Sequence, residues 1–96
     1  SLAAAEYVAG DYTNSNLVIT LAHEKGAVIT DGSVKVNNET YTKPVETTVN
    51  QIVTLEAVEG STDKFSHWSN GSTEKKIQVI ATGMSMGLTA FFKAAD

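Results

Sequence analysis

The 96-residue chain is long enough for one domain with a hydrophobic core, and its apolar fraction of 42% is typical of a soluble globular protein. Its formal charge of −4 comes with seven lysines and no arginine, so the side chain that best grips phosphates and guanine edges is missing. Cysteine is absent, which excludes disulfides and thiolate metal sites. No apolar run reaches the ~20 residues of a membrane span. We therefore predict neither nucleic-acid binding nor direct membrane insertion.

The first fifteen residues differ from the rest of the chain. They begin with an alanine-rich run and continue through Gly10, Asp11 and Asn14, which interrupt regular structure. We predict that residues 1–15 form a linker, a tag remnant or an N-terminal edge segment with a strand around Tyr7, and that residues 16–96 form a single module.

From residue 16 onward, apolar and β-branched residues alternate in short runs, as they do in half-buried strands. The predicted strands, in chain order, are residues 17–22, 27–30, 33–36, 40–42, 49–57, 65–69, 76–81 and 88–92. Asp31-Gly32 and a tight Asn70-Gly71 hairpin turn are predicted between strands, Pro44 marks an edge or a strand end, and residues 83–87 are predicted to form a loop.

No window of eleven or more residues has a helical period. We therefore predict an all-β, or nearly all-β, compact domain of six to eight short strands in antiparallel or mixed sheets. It would be a β-sandwich or β-grasp-like, without a long helix. The inward strand positions predict the core: Leu17, Ile19, Leu21, Val53, Leu55, Phe65, Trp68, Ile77, Val79, Leu88 and Phe92.

The spacing of two aromatic residues constrains the strand that contains them. Phe65 and Trp68 are three residues apart, so regular alternation would send their rings to opposite faces. A bulge near Ser66-His67 would turn both rings inward, and we favour it because burying two such rings strongly stabilises a fold. The alternative is an exposed Trp68 that serves as a platform for a ligand.

Catalytic and metal-binding patterns are not recognisable in the sequence. His23 and His67 have no ligand spacing, and no serine or threonine is marked as an activated nucleophile. Glu56, Glu59 and Asp63 lie close together but lack the spacing of a calcium loop. We predict no enzyme activity, no catalytic residue, no metal site and no cofactor.

The order of three short motifs resembles the internalin-type B-repeat family of bacterial surface proteins. The motifs are Val53-Thr54-Leu55-Glu56-Ala57, Phe65-Ser66-His67-Trp68 and Thr89-Ala90-Phe91-Phe92. The resemblance spans residues 17–92, about four-fifths of the chain. This copy is divergent, since Val58 replaces the usual proline and Asp63-Lys64 replaces the usual Gly-Tyr.

The resemblance implies a non-catalytic β-repeat module, one of several in tandem, on a secreted or surface-anchored bacterial protein. Such modules serve as spacers, stalks or adhesion accessories in a larger extracellular or cell-surface chain. Separately, the chain has residues that are typical of protected sheet edges, which predicts a monomeric bead: Lys35, Lys43, Pro44 and Lys93. Two alternatives remain: a small carbohydrate- or protein-binding domain, and an appendage domain of a phage virion. In the binding alternative, the partner is a surface glycan or protein and the candidate contacts are Tyr41, Trp68 and Phe91.

Overall fold

The structure, a computed structural model, describes residues 15–95 and, as backbone only, residues 6–7 and 10–11. This part of the chain contains ten β-strands and no helix. The strands are β1 (Glu6–Tyr7), β2 (Gly10–Asp11), β3 (Asn16–His23), β4 (Ser33–Val36), β5 (Glu39–Thr40), β6 (Val45–Glu46), β7 (Ile52–Val58), β8 (Asp63–Trp68), β9 (Lys76–Ile80) and β10 (Ser85–Ala94). No helix long and apolar enough to cross a membrane occurs in the described residues.

The first sheet, sheet A, has the strand order β1-β9-β7-β4-β5. Its central strand β7 pairs antiparallel with both β4 and β9. Val53, Leu55 and Ala57 of β7 are buried while the residues between them are more exposed, so the predicted alternation defines the inner face of this sheet.

The second sheet, sheet B, is built around β10. One side of β10 pairs with β3 in parallel, from Met86 opposite Leu17 to Phe92 opposite His23. The other side pairs antiparallel with β2 at its start and with β8 at its end, and β6 adds to the far side of β3. The longest strand therefore joins segments that are far apart in sequence.

Both sheets contribute side chains to one hydrophobic core, which is the arrangement of a β-sandwich. The prediction of a compact all-β domain is confirmed. Of the predicted core residues, ten are buried and Leu21 is partly buried against the core. The structure adds core residues that the prediction omitted: Val34, Val36, Ala57, Ala81, Met86 and Ala90.

The tryptophan strand contains the predicted bulge. Trp68 and His67 lie opposite Ala90 and Phe91, but Phe65 lies opposite Phe92, so Ser66 has no partner in β10. The bulge turns both rings inward, with their centroids 5.4 Å apart, and Trp68 is 0% exposed. The indole Nε1–H donates to the carbonyl of Glu74 over 2.8 Å. Trp68 is therefore a core residue, and the alternative of an exposed Trp68 is wrong.

Three local predictions differ from the structure. Residues 27–30 form no strand, because the backbone amides of residues 30–32 donate to the carboxylate of Asp63 instead of entering a ladder. Asn70-Gly71 lies in a turn but not in a hairpin, since β8 belongs to sheet B and β9 to sheet A. The predicted loop at 83–87 is shorter, because Ser85 already pairs with Asp11 and β10 begins there.

The N-terminal prediction is covered only in part. Backbone pairing places β1 beside β9, at the edge of sheet A, and β2 beside the start of β10. The remainder of 1–14 lies outside the described residues.

Candidate functional site

Phe91, one of the predicted ligand residues, lies on the outward side of sheet B. On β10, Leu88, Ala90 and Phe92 are buried, so Phe91 points away from the core. The strand register places Phe91 between Ala22 of β3 and His67 of β8. We call the outward side chains of His67, Phe91, Ser66 and Glu24 the aromatic platform.

The two rings of the aromatic platform are stacked. The centroids of His67 and Phe91 are 4.8 Å apart and their planes differ by 22°. The His67 side chain is 39% exposed and Phe91 is partly exposed, so the stack lies at the surface. The conditional prediction that Phe91 points outward if Phe92 is in the core agrees with this geometry.

Polar groups border the stack on one side. The Ser66 hydroxyl donates to Glu24 Oε2 and lies 2.9 Å from His67 Nδ1. Glu24 Oε2 itself is 3.7 Å from the same ring nitrogen. In a hydrolytic triad the nucleophile and the acid contact opposite nitrogens of the imidazole. Here both lie at Nδ1, so this cluster does not have the geometry of a triad.

A surface pocket of 410 Å³ begins beside the aromatic platform. Glu24 and Lys93 line it, together with residues that follow β3 and end β10. Glu24 thus belongs to both the aromatic platform and the pocket, and Lys93 adds a cationic donor at the same end of the sheet.

Tyr41, the third predicted ligand residue, lies elsewhere. It follows β5 of sheet A, its backbone N–H donates to the carbonyl of Val34 over 2.8 Å, and its side chain packs partly against the core. It borders a shallow groove of 550 Å³ formed by residues 36–46. The structure therefore does not bring Tyr41 and Phe91 together into one site.

Sequence reasoning missed a pair of aspartates that joins two loops. Asp63 is 0% exposed, and its Oδ2 accepts hydrogen bonds of 2.6–2.8 Å from the amides of residues 30–32, while Oδ1 lies 2.6 Å from His23 Nε2. In return, the Asp31 carboxylate accepts from the amides of residues 61–63 and from the Ser61 hydroxyl. We call this arrangement the reciprocal aspartate pair. The sequence shows Asp31 and Asp63 in two separate polar segments. No local pattern indicates that each carboxylate would accept hydrogen bonds from the other segment.

Hydrogen bonding sets the charge state of the reciprocal aspartate pair. Burial raises the pKa of Asp63, but the bonds from His23 and the backbone amides of Gly32, Asp31 and Thr30 outweigh it and hold the pKa well below its usual range. The backbone amide of Asp63 likewise lowers the pKa of Asp31. Both carboxylates therefore stay ionised at neutral pH, and the two loops are joined by charge-assisted hydrogen bonds.

Glu59 and Asp63, two of the three acidic residues considered as calcium ligands, accept hydrogen bonds from the protein itself. Glu59 accepts from the backbone N–H of Phe65 over 2.8 Å and pairs with the Lys75 ammonium at 3.0 Å. Within residues 15–95, no group of three or more histidine, cysteine or acidic side chains is arranged to hold a metal ion.

Comparison of the chain with family models, with curated proteins and with solved structures finds no match.

Proposed function

We propose that this chain is a non-catalytic structural module of a secreted or cell-surface bacterial protein, in which it serves as a spacer or adhesion accessory. The family resemblance of the three motifs supports this proposal from the sequence. The path of the chain through sheet B supports it from the geometry.

The supporting observation is the parallel pairing of β3 with β10. The chain enters β3 at Asn16 and leaves β10 at Ala94, and seven residue pairs join the two strands side by side. Because the strands are parallel, the entry and the exit lie at opposite ends of the pair. A pull between these ends loads the ladder in shear, so many hydrogen bonds must yield together. This geometry suits a spacer that bears tension.

The exit end of β10 is further fixed by the loops of the reciprocal aspartate pair. Ala94 lies opposite Asp63, and the Ala95 amide donates to the carbonyl of Thr62 over 3.0 Å. Residues 61–63 also donate to Asp31, so the strand that leaves the module is bound to a segment with several charge-assisted hydrogen bonds.

Single-molecule force measurements test the mechanical part of the proposal. The chain contains no native cysteine, so attachment points can be introduced without competition. Asn16→Cys with Ala94→Cys pulls the two strands in shear. A second double variant, Asn16→Cys with Ser85→Cys, is attached at the same end of both strands, so pulling on it opens the ladder one hydrogen bond at a time. We expect the shear pair to unfold at the higher force, and equal forces would count against a tension-bearing spacer.

The sequence of the native polypeptide tests the cellular part. A secretion signal, a wall or lipid anchor and further copies of the Trp…Thr-Ala-x-Phe pattern are expected. Fusion to virion or catalytic parts, without further copies, would overturn this part of the proposal.

A further inference from the structure

We infer that the aromatic platform on sheet B is a binding site for a neutral pyranose glycan, with the adjoining pocket accepting a further sugar unit. This goes beyond the proposed structural role, because it gives the module a ligand. It depends on the outward face of sheet B and not on the shear geometry of β3 and β10.

The stacked rings supply the apolar part of such a site. A pyranose presents a flat face of C–H groups, which packs favourably on an aromatic surface that is held in place. Phe91 is fixed by its position within the ladder between Ala22 and His67, and the His67 ring packs against one side of the Phe91 ring at a centroid distance of 4.8 Å, which holds it in place. A rigid platform loses little conformational freedom when it binds.

The bulge in β8 is the second observation. Without an extra residue, Ser66 and His67 would point to opposite sides of the sheet. The bulge leaves Ser66 unpaired and lets its hydroxyl reach Glu24 on the surface, next to the outward His67 ring. Bulges are frequent beside functional sites because they redirect side chains in this way.

The polar groups match the hydroxyls of a sugar. Glu24 offers acceptor oxygens, Ser66 both donates and accepts, and Lys93 in the adjoining pocket offers donors. Sugar hydroxyls also donate and accept, so each of these groups can find a partner on one ligand. The adjoining pocket, which has a volume of 410 Å³ and is lined by Glu24, leaves space for a further sugar unit beyond the one that stacks on Phe91.

The carboxylate of Glu24 disfavours an acidic sugar on the stacked rings themselves, whereas two lysines, Lys25 and Lys93, line the adjoining pocket. Glu24 lies beside the stack, with Oε2 3.7 Å from His67 Nδ1. A uronic or sialic acid would bring a second carboxylate toward it, and like charges at this range repel. The chain as a whole is also acidic, at −4.

Titration of the ¹⁵N-labelled module with cellohexaose and chitohexaose, followed by amide chemical shifts, tests the inference. Tryptophan emission is a poor probe here, because Trp68 is fully buried. We expect shifts confined to β3, β8 and β10 around the aromatic platform with at least one of these two neutral oligosaccharides. Oligogalacturonate, the acidic control, should bind more weakly.

Phe91→Ala should weaken this binding about tenfold, because it removes the stacking ring. Val18→Ala is the matched control, since Val18 is exposed on β3 at the opposite end of the same face. Glu24→Gln provides a second variant that leaves the sheet intact and should also weaken binding.

Four results would overturn the inference: no shifts with either neutral oligosaccharide at millimolar concentration, shifts centred on the groove beside Tyr41, equal binding of the acidic control, or equal affinity of the Phe91→Ala and Val18→Ala variants. The force experiment is unaffected by all of them, so failure of the glycan site and failure of the spacer role are distinguishable.

Discussion

At the scale of single residues, Trp68 contributes most clearly to the core. Its ring lies 5.4 Å from that of Phe65, which in turn meets the Phe92 ring edge-on at 5.9 Å. Its only polar atom donates to the Glu74 carbonyl. The side chain therefore buries its whole apolar area without leaving a polar group unpaired, which is the condition for an indole to stabilise a core.

Substitution of Trp68 by alanine should lower the free energy of unfolding by about 3–5 kcal/mol, because it leaves a large cavity between the sheets. Urea denaturation followed by circular dichroism measures the loss. Trp68→Phe keeps part of the ring and removes the hydrogen bond to Glu74, so its loss should be smaller. A denaturation midpoint unchanged by Trp68→Ala would contradict the buried position of the ring.

At the scale of elements, the reciprocal aspartate pair joins the segment after β3 to the segment before β8. Each carboxylate accepts hydrogen bonds from the amides of the opposite segment, so these amides need no partner in a strand ladder. This explains why residues 27–30 leave the ladder although their β-branched composition favours a strand. Close approach is possible because Gly60 has no side chain: a Cβ there would lie 2.1 Å from the Asp31 carboxylate.

Gly60→Ala should therefore destabilise the protein, by about 1–3 kcal/mol, since the added methyl forces the Asp31 carboxylate out of its hydrogen bonds. Gly87→Ala is the matched control, because a Cβ at Gly87 meets nothing closer than a carbonyl oxygen at 4.0 Å. Thermal unfolding of both variants measures the difference. Equal melting temperatures would indicate that the loops can separate without loss.

At the scale of the whole molecule, stability depends on strands that are remote in sequence. β10 holds sheet B together by pairing with β2, β3 and β8, and the reciprocal aspartate pair connects the loops at the exit end of the molecule. Both features join segments that meet only when the tertiary structure forms. Conditions that protonate these carboxylates should therefore lower the free energy of global unfolding rather than loosen one loop.

Acid should destabilise the fold through Asp63. Its pKa is lowered in the folded state, so its contribution to stability is present above the unfolded pKa of about 4 and is lost as the pH falls through the folded pKa. Urea denaturation between about pH 7 and about pH 3 should show falling stability, with a weaker pH dependence for Asp63→Asn. Glu39→Gln, which removes an exposed carboxylate, is the control and should follow the wild type. Parallel curves for Asp63→Asn and the wild type would exclude this role.

Only part of the candidate site could be predicted from the sequence, because its other contacts join segments that are remote in the chain. An outward Phe91 followed from the alternation around Phe92, because adjacent residues of one strand point to opposite faces. The stack with His67 and the contact between Glu24 and Ser66 depend on the pairing of β8 with β10 and on the path after β3. No local pattern encodes which strands become neighbours.

The sequence by itself determined the all-β class, most strand positions and ten of the sixteen buried core residues, because a two-residue period is a local property that fixes which side chains point inward. It also indicated the bulge, since two large rings at a spacing of three cannot both be buried in a regular strand. Only the tertiary structure decided the parallel β3–β10 pair, the transfer of the chain from sheet B to sheet A after Trp68, and the partners of Asp31 and Asp63. These depend on contacts between residues some thirty to seventy positions apart, whose formation is decided by the packing of the whole chain rather than by its neighbouring residues.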